Sequence, residues 1–252
     1  MPIAVPVQII PATTPTPTSP GGTSPGPAPG GRSGTSGPDT LRGNGGADLI
    51  FGLGGPDSIF GLTGNDSLYG GDGDDSLQGD AGNDILFGGA GRDSVLGGIG
   101  DDTFYGGKGS DSVSGDEGND LLFGNQDADT LLGGAGNDTF FGGAGDDSLF
   151  GGDGDDCLSG DLGRDTLTGG AGNDTFAIGR QADSDVITDF TETDRIRLTA
   201  GLTFGELTIS AAGAGTSPST IIQLTSTKEI LATLFGVARA SITQADFIIG
   251  NG

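Results

Sequence analysis

The sequence predicts an all-β fold: a flattened parallel coil of strands, a β-roll (β-solenoid) of about eight turns, closed by a small β-rich C-terminal capping domain. Three observations predict it. From Gly34 to Ala177 the chain keeps a register of nine for sixteen units, without insertion or deletion. In every unit the first residue is glycine and the sixth is aspartate; the fourth is glycine in all but one, where Asp127 stands. The eighth residue is always apolar, from Leu41 and Ile50 to Leu167 and Phe176. GGDGDDSLQ (70–78), GGAGRDSVL (88–96) and GGAGNDTFF (133–141) are typical units. Self-similarity at a fixed short period is the mark of a stacked architecture, in which each unit buries its apolar face against its neighbours.

Residues 1–33 come first. They are rich in proline, threonine, serine and glycine and cannot build a core, so they read as a disordered tail or linker. The first residues, MPIAVPVQIIPATT, contain no lysine or arginine and are cut by Pro2, Pro6 and Pro11, unlike a cleavable signal peptide. No apolar run approaches the length of a membrane span.

Composition then narrows the chemistry. Glycine supplies 54 of 252 residues and apolar residues only 33%. Acidic residues number 35 against 10 basic, a net charge of −25. Such a polyanion repels phosphate, which argues against nucleic acid as a partner. It also repels itself unless cations neutralise it. Histidine is absent, and with it the commonest general base and transition-metal ligand. The plentiful donor is carboxylate oxygen, which suits hard ions such as Ca²⁺ and Mg²⁺. Cys157 is the single cysteine, so no internal disulfide forms.

Each unit of residues 34–177 divides into a six-residue turn and a three-residue strand. Glycines one and four are expected to supply backbone angles that other residues avoid. The apolar eighth residue points inward and its two neighbours outward. Two units make one turn of the coil. Residues 18 apart then stack in neighbouring parallel strands roughly 4.8 Å apart, giving a rod about 35–40 Å long.

The same stacking lines up the sixth residues. Asp39, Asp57, Asp75, Asp93, Asp111, Asp129, Asp147 and Asp165 form one column, and Asp48, Asp66, Asp84, Asp102, Asp120, Asp138, Asp156 and Asp174 the other. Carboxylates that close repel badly without a counter-ion. A Ca²⁺ between successive turns resolves this, taking carboxylates from both and completing its shell of 6–8 oxygens with turn carbonyls. Eight turns leave seven gaps per column, so up to about fourteen ions, whose charge nearly balances the chain's −25.

This array resembles the RTX (hemolysin-type) calcium-binding repeat over residues 34–177. The resemblance implies a parallel β-roll, calcium-dependent folding, and a secreted, extracellular protein exported by type I secretion machinery that reads a C-terminal signal. Residues 178–252 carry strand-like runs, among them TIIQLT and EILATLF, and read as a small capping domain. DVITDFTETDRIRL (185–198) and ADFII (245–249) are similar to the family's C-terminal flank.

A secreted structural, matrix or surface protein is the first reading. A non-catalytic secretion and folding module, of the kind appended to RTX enzymes, is the second. An ice-binding roll ranks low, because only the unit at 61–69 has TGND. No enzyme is expected: 33 upstream residues are too few, and no histidine is present.

The two faces of the coil should differ. Position seven of the odd units is always hydroxylic, from Thr40 and Ser58 to Thr166. Position nine of the even units begins with Phe51, Tyr69, Phe87, Tyr105, Phe123 and Phe141, an expected outward ladder through which self-association is one reading.

Overall fold

The computed structural model describes residues 31–180, 184–212 and 218–249. The tail expected at 1–33 lies outside them up to residue 30. The described chain is built from strands and three short 3-10 turns. The described strands all belong to two sheets that face each other, one of 11 strands and one of 12, parallel except for the last two pairings of the second. The first sheet takes its strands from the even units, for example Leu49–Gly54 and Ser67–Asp72, and the second from the odd units, for example Ser58–Thr63 and Ser76–Ala81. Register follows the 18-residue step, with Ile50 opposite Leu68 and Ile59 opposite Leu77.

The strands are six residues long rather than three. Positions one to three of each unit remain in the sheet ladder, with position two at positive φ (Leu53 83°, Leu62 86°), and the position-one N–H donates to the position-nine carbonyl of the next turn (Gly43 N to Phe60 O, 2.7 Å). The true turn is positions four to six. It is fixed by two further bonds between rungs, Gly64 N to Ala81 O at 2.8 Å and Ser67 N to Asp48 O at 2.9 Å.

The glycines at positions one and four serve different ends. From Gly55 onward position four adopts positive φ, as at Gly64 (126°) and Gly73 (138°). Asp127 stands in that conformation at 70°, and its carboxylate accepts the Gly109 N–H at 3.1 Å. Aspartate is among the few residues that tolerate the left-handed region. Position one is not left-handed; there glycine supplies room. A Cβ on Gly52 would stand 2.3 Å from Asp57 Oδ2 and 2.4 Å from the Gly70 carbonyl oxygen.

The core is a single file of eighth-position side chains. Ile50, Leu86, Leu122 and Phe140 are fully buried. Adjacent residues point out, as the alternation requires.

The coil extends beyond the repeats at both ends, which makes about nine turns instead of eight. Gly31–Ser33 already pairs with Leu49–Phe51. After the last repeat, Asp185–Ile187 and Arg195–Leu198 continue the second and first sheets in parallel. Ile187 and Ile196 take the buried eighth positions of this extra turn. The end is then closed. Leu207–Ala212, Ser219–Leu224 and Ile230–Phe235 form an antiparallel meander on the second sheet, and Phe247–Ile249 adds a final strand to the first. Asp189, two residues past Ile187, accepts the N–H groups of Gly169 and Gly170, and Arg180 pairs with Glu206 across the junction.

Candidate metal centre

Every sixth-position aspartate sits where strand follows turn, and its side chain reaches along the rod. One oxygen, Oδ1, accepts the backbone N–H of the aspartate one turn earlier: Asp66 from Asp48 at 2.7 Å, Asp102 from Asp84 at 2.7 Å, Asp165 from Asp147 at 2.8 Å. The bond repeats at every step, so both expected columns exist as continuous chains. The first runs from Asp39 through Asp57, Asp75, Asp93, Asp111, Asp129 and Asp147 to Asp165. The second runs from Asp48 through Asp66, Asp84, Asp102, Asp120, Asp138 and Asp156 to Asp174.

Both chains continue one rung past the repeats. Asp185 accepts from Asp165 N at 3.2 Å and Asp194 from Asp174 N at 2.9 Å. Sequence reading missed these two. Their signal was present: they stand nine apart and each is followed two residues on by isoleucine, but an irregular step separates Asp174 from Asp185.

The second oxygen is the informative one. Among the described residues, thirteen buried Oδ2 atoms, those of Asp57 to Asp165 taken every nine residues, have no hydrogen-bond partner. Buried acceptors without partners are rare and costly, and a buried ionised carboxylate more so. The ends of the columns differ. Asp39 Oδ2 accepts from Thr35 N at 2.6 Å, Asp48 Oδ2 from Asn44 N at 2.7 Å and Asp194 Oδ2 from Thr191 N at 2.7 Å. The interior alone is left open.

Electrostatics record the same tension. Burial is the largest cause, and it pushes Asp75, Asp84, Asp111 and Asp147 up to about 6. Asp93, Asp102, Asp120 and Asp156 rise to about 7 and Asp129 to about 8. Asp57, Asp66, Asp138, Asp165 and Asp174 shift the same way, again chiefly through burial. The N–H bond to Oδ1 opposes the rise, and in most of them a neighbouring carboxylate adds to it.

The donor set fits a hard divalent cation. No group of three or more His, Cys, Asp or Glu side chains converges among the described residues, so carboxylates alone do not make a site. Backbone carbonyls supply the remainder. In the gap above Gly52, the Gly70 oxygen points down while those of Leu53 and Gly55 point up, each within 2.6 Å of where a Cβ would stand on the glycine it faces. Glycine at those positions keeps the gap free of carbon. Carboxylate and carbonyl oxygens in a flexible loop suit Ca²⁺ better than Mg²⁺, which demands stricter octahedral geometry and keeps its waters.

Other features follow the same 18-residue step. Position five of the even units forms an exposed ladder, Asn65 to Asn173, in which each side-chain oxygen accepts the next backbone N–H (Asp155 N to Asn137 Oδ1, 2.8 Å). The six expected aromatics are stacked with centroids 4.6–5.1 Å apart. Cys157 is half-buried, with Arg197 Nη1 3.2 Å from its sulfur, and burial pushes its thiol up.

Fold and site together define a cation-binding parallel β-roll. The profile of the RTX calcium-binding nonapeptide repeat matches residues 33–59, 60–95, 96–131, 123–158, 132–167 and 150–185, well over half of the chain. The chain belongs to that family, and calcium is the ion it binds. Among solved structures it is similar to the solution structure of the AlgE6R3 subunit from the Azotobacter vinelandii mannuronan C5-epimerase. The two are 28% identical over 53% of this chain and 84% of that one, with a TM-score of 0.40. No curated protein matches it significantly. No helix among the described residues is long and apolar enough to cross a membrane.

Proposed function

We propose that this chain is a secreted structural or surface protein whose roll is the product, and that calcium switches it from unfolded to folded. The sixth-position aspartates from Asp39 to Asp174 are its side-chain ligands, joined by Asp185 and Asp194 on the ninth turn. The reading rests on one observation: a file of buried carboxylate oxygens without partners, which from Asp57 to Asp156 lie beside a position-one carbonyl of the adjacent rung. The expected maximum of fourteen ions becomes sixteen, because the ninth turn adds a gap to each column.

No catalytic role is proposed, since the sequence contains no histidine and the roll spends its acids on the ion columns. Export through type I secretion machinery is consistent with the calcium switch. A polyanion that stays unfolded at low calcium threads a channel, and millimolar calcium outside folds it by binding only the native state. Residues 178–252 act as cap and carry the export signal.

Calorimetric titration of the chelated chain with calcium tests the ligand assignment. The expected result is more than ten ions bound, with a midpoint near ~10⁻⁴–10⁻³ M, the range of extracellular calcium modules. Binding of one or two ions only, or equal response to magnesium, would refute it.

A further inference from the structure

Among the described residues one broad surface is without charge. It is the outer face of the first sheet, over the six strands from Leu49–Gly54 to Thr139–Ala144. Positions seven, nine and two of those strands carry Leu, Ile, Ser, Thr, Phe, Tyr, Gly and one Asn. The charges of these strands, Asp72 and Lys108, stand at position three, where strand gives way to turn. The second sheet lacks such a face, because Asp80 and Asp116 stand on its outer side.

The ladder from Phe51 to Phe141 runs down the middle. Its rings lie nearly parallel, 4–19° apart, and stacked along the rod, so each covers its neighbours' faces and turns an edge outward. Sugars and bases stack on ring faces, which are used up here. Beside the ladder runs a track without side chains at Gly71, Gly89 and Gly107. On its other side Ile85 is 42% exposed.

We infer that this face is the interface of a homodimer of rolls. Charge selects the occupant. Copies of a chain with net charge −25 meet without like-charge contact only where charge is missing. Shape agrees. A two-fold axis along the rod, set between the ring column and the glycine column, lays each ladder over the partner's glycine track, an isologous contact. Six strands of about five outward-to-outward residues cover about 500 Å² per copy, so about 1,000 Å² in total, the lower limit for a specific interface. The dimer is therefore a weak one, in the micromolar range.

The chain has two tyrosines, Tyr69 and Tyr105, and no tryptophan, and both tyrosines lie in the ladder. Their emission reports on this face alone. The full chain in calcium should double in mass by sedimentation across about two decades of concentration around micromolar, and acrylamide quenching of tyrosine should fall in step. The double variant Ile85→Glu with Leu121→Glu should remain monomeric with an unchanged calcium midpoint. Leu132→Glu on the second sheet should leave the dimer intact. A chain monomeric throughout overturns the inference, including one whose tyrosines are shielded at every concentration, which would show a cover from within the chain. So does a dimer whose tyrosines stay equally quenchable, or a folded double variant that still dimerises. If the double variant fails to fold, the quenching series of the parent decides.

Discussion

At Asp102 the two carboxylate oxygens have different fates: Oδ1 accepts Asp84 N–H, and Oδ2 is buried without a partner. Asn at this position keeps the first bond and removes the charge from two adjoining gaps. Asp102→Asn should therefore lose calcium sites, at a cost of about 1.5–3 kcal/mol in the calcium-loaded roll, read by urea unfolding. Asp39→Asn should cost much less, since Asp39 is bonded locally by Thr35 and borders a single gap. Equal losses would contradict the assignment. Protons compete for the same oxygens. The interior pKa values, about 6 to 8, lie above those of the unfolded chain, so protonation stabilises the metal-free roll. That stabilisation is complete at low pH and is lost as pH rises through 6 to 8. In chelator the chain should hold more β-structure by circular dichroism near pH ~5 than near pH ~8. With calcium the order reverses, and binding near pH ~6 should release protons. Identical metal-free spectra at the two values would count against carboxylate burial as the source of the instability.

Each strand contributes one buried side chain, so the core has no second layer to compensate a loss. Leu122→Ala should destabilise the calcium-loaded roll by about 2–5 kcal/mol in urea unfolding. The cap is expected to matter for a related reason. Removing residues 178–252 takes away Asp185 and Asp194, the acceptors for Asp165 and Asp174 N–H, and bares the apolar end of the roll. The truncated chain should require more calcium to fold, or aggregate, in the same titration followed by light scattering. Much of this was legible in the sequence, because repetition turns a weak local signal into a strong one. Leu68 alone says little; Leu68 in a file of apolar residues nine apart specifies strand, face and register. The columns and the aromatic ladder followed from the same arithmetic. What escaped was what breaks the phase. The irregular step before Asp185 hid the ninth turn, although Asp185, Ile187, Asp194 and Ile196 obey the rule. Strand length escaped because glycine at position one reads as turn, whereas Gly52 is extended and is glycine for want of space.

For the whole molecule the opposing terms are simple. A net charge of −25 and thirteen orphaned carboxylate oxygens oppose folding; a one-residue-deep core and two ladders of backbone bonds favour it. Without cations the charge term dominates, and a divalent ion in each of the sixteen gaps would more than cancel it, with +32 against −25. The rod is thereby a single cooperative object whose subunit is the gap between turns, and its stability should grow with the number of gaps filled. The two-unit turn also separates the side chains: carboxylate columns along the edges, rings on one face, hydroxyls on the other. The measurement that tests this most directly is far-ultraviolet circular dichroism of the full chain at neutral pH, first in chelator and then through a calcium titration to a few millimolar. The account predicts a largely unordered spectrum in chelator and a cooperative, saturable conversion to β-structure that magnesium does not reproduce. A chain already rich in β-structure in chelator, and unchanged by calcium, would contradict it.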